Sequence, residues 1–152
     1  MKIKPLFVVS LLLFSFKSFS QNWDKIEARD GMHYISHYIQ NINLDILGRY
    51  TYKGQEPVVE LNEYGMGFYQ LHDQLKRPMI WGLECDESGA LKYKKGFDNA
   101  KYILWYQYTT KDENDTEEDM LWKPVEFTIH FNTGKMFIQG ERSKDYKEIK
   151  NK

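Results

Sequence analysis

Between Val125 and Phe131 apolar and polar residues alternate without a break: Val125, Phe127, Ile129 and Phe131 fall on one side, and Glu126, Thr128 and His130 on the other. A period of two marks a strand with one buried face. Asn132-Thr133-Gly134 supplies turn residues and Lys135 to Gly140 resumes an extended texture, so the pair reads as a hairpin. Two more hairpins are expected, Val58 to Asn62 with Gly67 to Leu71 around Glu63-Tyr64-Gly65, and Met79 to Glu84 with Ala90 to Lys94 around Asp86-Glu87-Ser88-Gly89. Arg49 to Lys53 and Lys101 to Thr109 bring the total to about eight strands. In Lys101 to Thr109, Tyr102, Leu104, Tyr106 and Tyr108 share one side while Ile103 and Trp105 share the other, which predicts a strand covered on both faces.

The segment before Gly48 has another period. Ile35, Ile39, Ile42 and Ile46 recur at spacings of four, three and four, as on one face of a helix, and Gly48 stands where a helix stops. The pattern predicts one helix from Met32 to Ile46, whose second half has an extended alternative because its isoleucines and asparagines are indifferent helix formers, and strand 101–109 is either central or covered on its second face by this helix. The expected fold is mainly β, an antiparallel meander closing into a small barrel or sandwich, with one N-terminal helix.

The first twenty residues stand apart from this pattern. Lys2 and Lys4 precede an apolar run from Leu6 to Phe14, and Ser18-Phe19-Ser20 places small residues at the minus three and minus one positions of a cleavage site between Ser20 and Gln21. These are the three regions of a secretory signal peptide. The run is about nine residues before Ser15, far short of the roughly 20 needed to span a bilayer. Residues 1–20 are therefore expected to be a cleaved signal and 21–152 a single β-rich domain, secreted or periplasmic. The only cysteine is Cys85, so neither a lipid-anchoring cysteine after the cleavage point nor an internal disulfide is expected, and burial is the ordinary state of such a thiol. Cleavage removes three lysines and no acid, which moves the formal charge from −1 to −4. A nucleic-acid partner is not expected of an acidic domain.

Candidate chemistry is sparse. His33 and His37 stand four apart, the spacing of a metal pair on a helix, but without the glutamate of the His-Glu-x-x-His motif; His72, Asp73 or His130 would have to complete a site. Asp112 to Asp119 holds six carboxylates in eight residues but lacks the central glycine and terminal glutamate of a calcium loop. Ser36, Ser88, Ser143 and Cys85 lie in no nucleophile motif, and Glu84, Asp86 and Glu87 are the one adjacent carboxylate group that could supply an acid and a base. Gly65-Met66-Gly67 lacks the third glycine of a dinucleotide loop. Neither catalysis nor a cofactor or metal is expected.

Aromatic residues are abundant, with all four tryptophans and all eleven tyrosines after position 20. Two readings stand side by side: a β core built of rings, or a groove or barrel mouth lined by Tyr50, Tyr52, Tyr69, Trp81, Tyr93, Trp105, Tyr106 and Tyr108. Leu47-Gly48-Arg49-Tyr50-Thr51-Tyr52, followed by Val58 to Tyr69 with its Gly-containing turn, resembles the opening of bacterial lipocalin-like domains, and Lys135 to Arg142 is similar to their closing strands, where a basic residue often caps the barrel base. The resemblance implies a cup-shaped β-barrel that binds something without transforming it, and no particular ligand. The expected function is an exported, non-catalytic barrel binding a small apolar or peptide ligand through aromatic residues. The alternative is a protein-interaction module, an inhibitor or immunity-type partner of a secreted enzyme, acting through the acidic loop and exposed tyrosines.

Overall fold

The computed structural model describes residues 22–38 and 42–149; the segment expected to be a signal, with the expected cleavage site, lies outside the described residues. Eleven strands follow one another: β1 (Asp24–Ala28), β2 (Gly31–Ser36), β3 (Gly48–Tyr52), β4 (Gln55–Leu61), β5 (Met66–Tyr69), β6 (Arg77–Cys85), β7 (Tyr93–Lys95), β8 (Asn99–Tyr108), β9 (Lys123–His130), β10 (Lys135–Ile138) and β11 (Arg142–Asp145). All ladders are antiparallel. Eight strands, β3 to β6 and β8 to β11, close into a barrel because β6 pairs with β8 from Met79↔Tyr108 to Leu83↔Leu104 while also pairing with β5 on its other edge.

Local chemistry explains the tightest corners. Tyr52 pairs with Gln55 across Lys53-Gly54, whose φ values of 48° and 79° suit the two-residue turn that matches strand twist. At Gly67 a Cβ would stand 2.2 Å from the Glu60 carbonyl oxygen, so β4 and β5 approach more closely there than any side chain permits. In β8 the expected alternation holds, with Leu104, Tyr106 and Tyr108 pointing into the barrel core and Trp105 to the other side.

The expected N-terminal helix is replaced by strand. Met32 to Ser36 belong to β2, which with β1 forms a hairpin that joins the edge of β6 through Tyr34↔Cys85, Ile35↔Glu84 and Ser36↔Leu83. Residues 39–41 of that prediction lie outside the described residues, and no α-helix occurs among the described ones. The isoleucines that suggested one helix face serve two separate surfaces. Ile35 packs with Ile26, Ala28 and Trp105 outside the barrel, whereas Ile42 and Ile46 enter the main core from an extended segment that bridges Leu44 to Glu148. The second face of β8 is thus covered, by a hairpin instead of a helix.

Two strand boundaries also shift. The turn around Asp86 to Gly89 forms, with a Cys85↔Leu91 bridge, but β7 then leaves β6 and pairs with β8 through Tyr93↔Tyr102. β9 ends at His130, leaving Phe131 half-exposed in the following turn.

The barrel interior is filled by side chains. Toward the end where β3 starts and β11 finishes stand Leu61, Leu83, Leu104, Phe127, Ile129 and Met136, joined by Ile42, Leu44 and Ile46. Tyr50 is fully buried there and donates its hydroxyl to the Ile46 carbonyl at 2.7 Å, which ties the 42–47 segment to the wall. Lys144 donates to the Leu47 carbonyl at the same seam.

Two consequences can be measured. Gly67→Ala should destabilise the fold by about 1–3 kcal/mol, read as a lower urea midpoint with an unchanged slope, because the backbone of β4 cannot yield without loss of the ladder. Cys85 is buried, and desolvation, followed by the Asp86 charge, pushes its thiol up to about 11. A disulfide reagent at about pH 8 should therefore leave it unmodified until denaturant is added.

Candidate functional site

Antiparallel alternation brings the turns β3–β4, β5–β6, β8–β9 and β10–β11 to the same end of the barrel, and this end carries two arginines and three tyrosines where the other is mostly aliphatic, with Tyr50 and Phe127. Tyr69, from the last position of β5, stacks on Tyr106 with centroids 4.4 Å apart and planes 12° from parallel. Tyr108 meets both rings edge-on. Guanidinium groups flank this row: Arg77 lies 3.8 Å above the Tyr108 ring and Arg142 lies 5.2 Å from the Tyr69 ring. Burial in this packing pushes the phenols up, Tyr69 to about 12 and Tyr106 higher still, so all three rings stay neutral at physiological pH.

The two arginines are held differently. Arg77 grips the acidic loop, with Nη1 and Nη2 on the Asp115 carboxylate at 3.1 and 2.5 Å, Nη2 also on the Thr110 carbonyl and Nε 3.4 Å from Asp112. Arg142 donates to the Gln139 side-chain oxygen at 3.3 Å and the Gln70 carbonyl at 3.2 Å; the same Gln139 oxygen accepts the Tyr69 hydroxyl at 2.6 Å. The carboxylate paired with Arg142 is that of the half-exposed Glu141, 3.8 Å away, too far for a hydrogen bond. The β5–β6 loop crosses this end with a cleft on either side, about 610 Å³ beside Gln70 and His72 and about 410 Å³ beside Arg77 and Tyr108.

The eight aromatic candidates therefore divide. Tyr69, Tyr106 and Tyr108 come together at the arginine end, and Tyr52 stands at its rim, edge-on to His72. Tyr50 and Trp81 are core, Trp81 donating its indole N–H to the Met66 carbonyl at 2.7 Å. Trp105 is buried outside the barrel under the β1–β2 hairpin, where it donates to Glu84 at 3.1 Å and packs on His33. Tyr93 is 57% exposed and stacks on Tyr102, which places it apart from all the others. Arg77 and Arg142 were not among the candidates; the one related expectation was a basic residue capping the barrel base, implied by the resemblance over Lys135 to Arg142 without naming which.

A third cleft, about 500 Å³, opens on the outside of the barrel where β6 and β8 part and β7 enters between them. Tyr93, Tyr102, Ile103, Pro124 and Val125 give it apolar walls. Its rim carries charges of both signs, including the Lys92–Glu84 and Lys101–Glu126 pairs.

The remaining candidate groups are engaged elsewhere. His33 bonds Asp30 at 3.0 Å on β2, and His37 follows that strand against Gly65, so the four-residue spacing does not bring the two imidazoles to one helix face. Among the described residues no group of three or more His, Cys, Asp or Glu side chains is placed to hold a metal ion. Glu84 accepts from Trp105 and Lys92, Asp86 accepts from Ser88 and Ala90, and Glu87 accepts from the Tyr34 hydroxyl. Ser36 donates to the Asn22 carbonyl.

The acidic loop is anchored by its own carboxylates. Besides the Asp115–Arg77 pair, Asp119 accepts from the Thr116 hydroxyl and backbone N–H and from Lys123, and Lys111 reaches Glu117. The Thr116 bonds first, then Lys123, hold the Asp119 carboxyl down at about 2; the Asp112 backbone N–H and Arg77 lower that of Asp115. A carboxyl depressed in the folded state stabilises fully above its unfolded value, near 3.8, and loses that contribution as pH falls through the folded value. The thermal midpoint of the wild type should thus drop more steeply between about pH 4 and 2 than that of Asp119→Asn, with the two converging at the acid end.

Compared with known proteins, the chain matches no family model, no curated protein and no solved structure.

Proposed function

We propose that this protein is an exported, non-catalytic β-barrel domain that binds an extended peptide or similarly slender apolar ligand in the outer cleft lined by β7, β8 and β9. The observation that carries the reading is the edge strand. The sheet terminates on β7, a three-residue strand exposed along its length, so its outer edge offers main-chain donors and acceptors to an added strand. The neighbouring apolar walls accept side chains, and the mixed charges of the rim set direction.

A filled interior argues against a ligand carried inside the barrel. Tyr50, Tyr69, Trp81, Tyr106 and Tyr108 pack against one another or the aliphatic core, leaving the surface as the place for recognition. The export part of the proposal rests on residues 1–20 alone. The interaction-module alternative draws less support, because Asp112, Asp115 and Asp119 are tied to Arg77 or within their own loop.

Tyr93→Ala and Ile103→Lys alter half-exposed side chains of the cleft and should leave the thermal midpoint within the range of ordinary surface changes. Titrated by calorimetry with a panel of short alternating apolar and charged peptides, the wild type should bind at least one, and each variant should weaken that binding by about tenfold. Unchanged affinity in both variants would sink the cleft assignment.

A further inference from the structure

Two rows of side chains cross from β9 through β8 to β7 and stop at the free edge of the sheet. On one face Phe127, Tyr102 and Tyr93 are cross-strand neighbours with ring centroids 5.9 and 5.2 Å apart, and Tyr93 stays exposed at the end of the row. On the other face Lys94 stands directly opposite Lys101, a like-charged pairing that destabilises a sheet. Lys101 is balanced from β9 by Glu126 at 3.0 Å, and Lys92, just before the strand, by Glu84 at 3.2 Å. Among the described residues neither Lys94 nor Lys95 takes part in an ion pair, and both are exposed. Asp98, the only acid of the β7–β8 hairpin, lies past the end of the strand, while Asp86 and Glu87 of the preceding turn are engaged by Ser88 and Tyr34.

The main chain is open at the same place. Gly96 donates its N–H to the Asn99 carbonyl across the β7–β8 ladder, so alternation turns the main-chain groups of Lys94 toward β8 and those of Tyr93 and Lys95 outward. We propose that the outer edge of β7 takes up an acidic, aromatic peptide segment as an added antiparallel strand, with two consecutive carboxylates facing Lys95 and Lys94 and an aromatic residue next to them facing Tyr93. This assignment deepens the outer-cleft reading and rests on it. The carboxylate opposite Lys94 supplies the counter-charge that Glu126 gives Lys101, and the ring lengthens the Phe127–Tyr102–Tyr93 row by one member. Tyr93 and Lys95 each offer an N–H and a C=O, which give affinity whatever the side chains, while lysine and tyrosine set the order acid, acid, aromatic from the peptide's N-terminus. A second copy of this chain is a poorer occupant, because its own β7 would set lysine against lysine. A lipid surface would use Phe97, 99% exposed at the hairpin tip, but leaves the outward main-chain groups without partners.

The test titrates the protein by calorimetry at low ionic strength with short, capped threonine-valine peptides that carry Asp-Asp-Phe, Thr-Thr-Phe, Lys-Lys-Phe or the reversed Phe-Asp-Asp. The Asp-Asp-Phe peptide should bind about tenfold tighter than the neutral and reversed ones. Lys94→Glu and Lys95→Glu should each weaken it by about threefold and together by about tenfold, and the double variant should prefer Lys-Lys-Phe. Methylating the peptide nitrogen of the phenylalanine, which faces Tyr93, should cost about tenfold, whereas methylating that of the aspartate opposite Lys94 should cost little. Equal binding of the acidic, neutral and basic peptides, with the loss in Tyr93→Ala retained, overturns the acidic assignment and leaves the outer cleft standing as an apolar peptide site. Equal losses from the two methylations overturn the added strand. Failure of every peptide to bind overturns both readings, and capture of phosphatidylglycerol vesicles that Phe97→Ser abolishes would then give the lysines to a lipid surface.

Discussion

The ladder between β6 and β8 is the constraint on which the rest of the molecule depends. Without it the chain is a curled meander with two long exposed edges; with it, eight strands enclose a space about as wide as the side chains they contribute. Filling that space then becomes a volume problem. Aliphatic residues solve it at one end and a row of three tyrosines at the other, and the phenol hydroxyls bring polar groups into a place where each must find a partner. The fork that admits β7 also follows from closure, because β8 runs past the end of its pairing with β6 and needs a second neighbour there.

Much of the sheet could be read from the chain. Strands β3 to β6 and β8 to β10 announce themselves by alternation, turn residues and β-branched or aromatic content, and the two-faced character of β8 was correctly expressed by Trp105 opposite Tyr106. The failures have physical reasons. Ile35 and Ile46 are four-three-four partners only on paper, since one seals a hairpin outside the barrel and the other enters the core from an extended segment. The last strand, Arg142-Ser143-Lys144-Asp145, offers no apolar residue to a periodicity argument, because the side chain it turns inward is an arginine.

The candidate site was legible only in part for a related reason. Composition reveals many rings but not which converge: Tyr69, Tyr106 and Tyr108 meet, Tyr93 stacks on Tyr102 in another cleft, and Trp105 faces away. Arg77 and Arg142 look like any surface arginine in a sequence, since nothing local distinguishes a guanidinium that snorkels to water from one capped by a loop. Their role is a property of the closed barrel and appears only once β5, β6, β8 and β11 are side by side.

The seam between β3 and β11 has a consequence in time. Thr51 pairs with Ser143, across nearly the whole length of the domain, and the supporting contacts at Leu44 and Glu148 come from still farther apart. Contacts of such long sequence separation form late and slowly. The β11–β3 pairing therefore completes the wall late, and until it forms the barrel stays open along one seam.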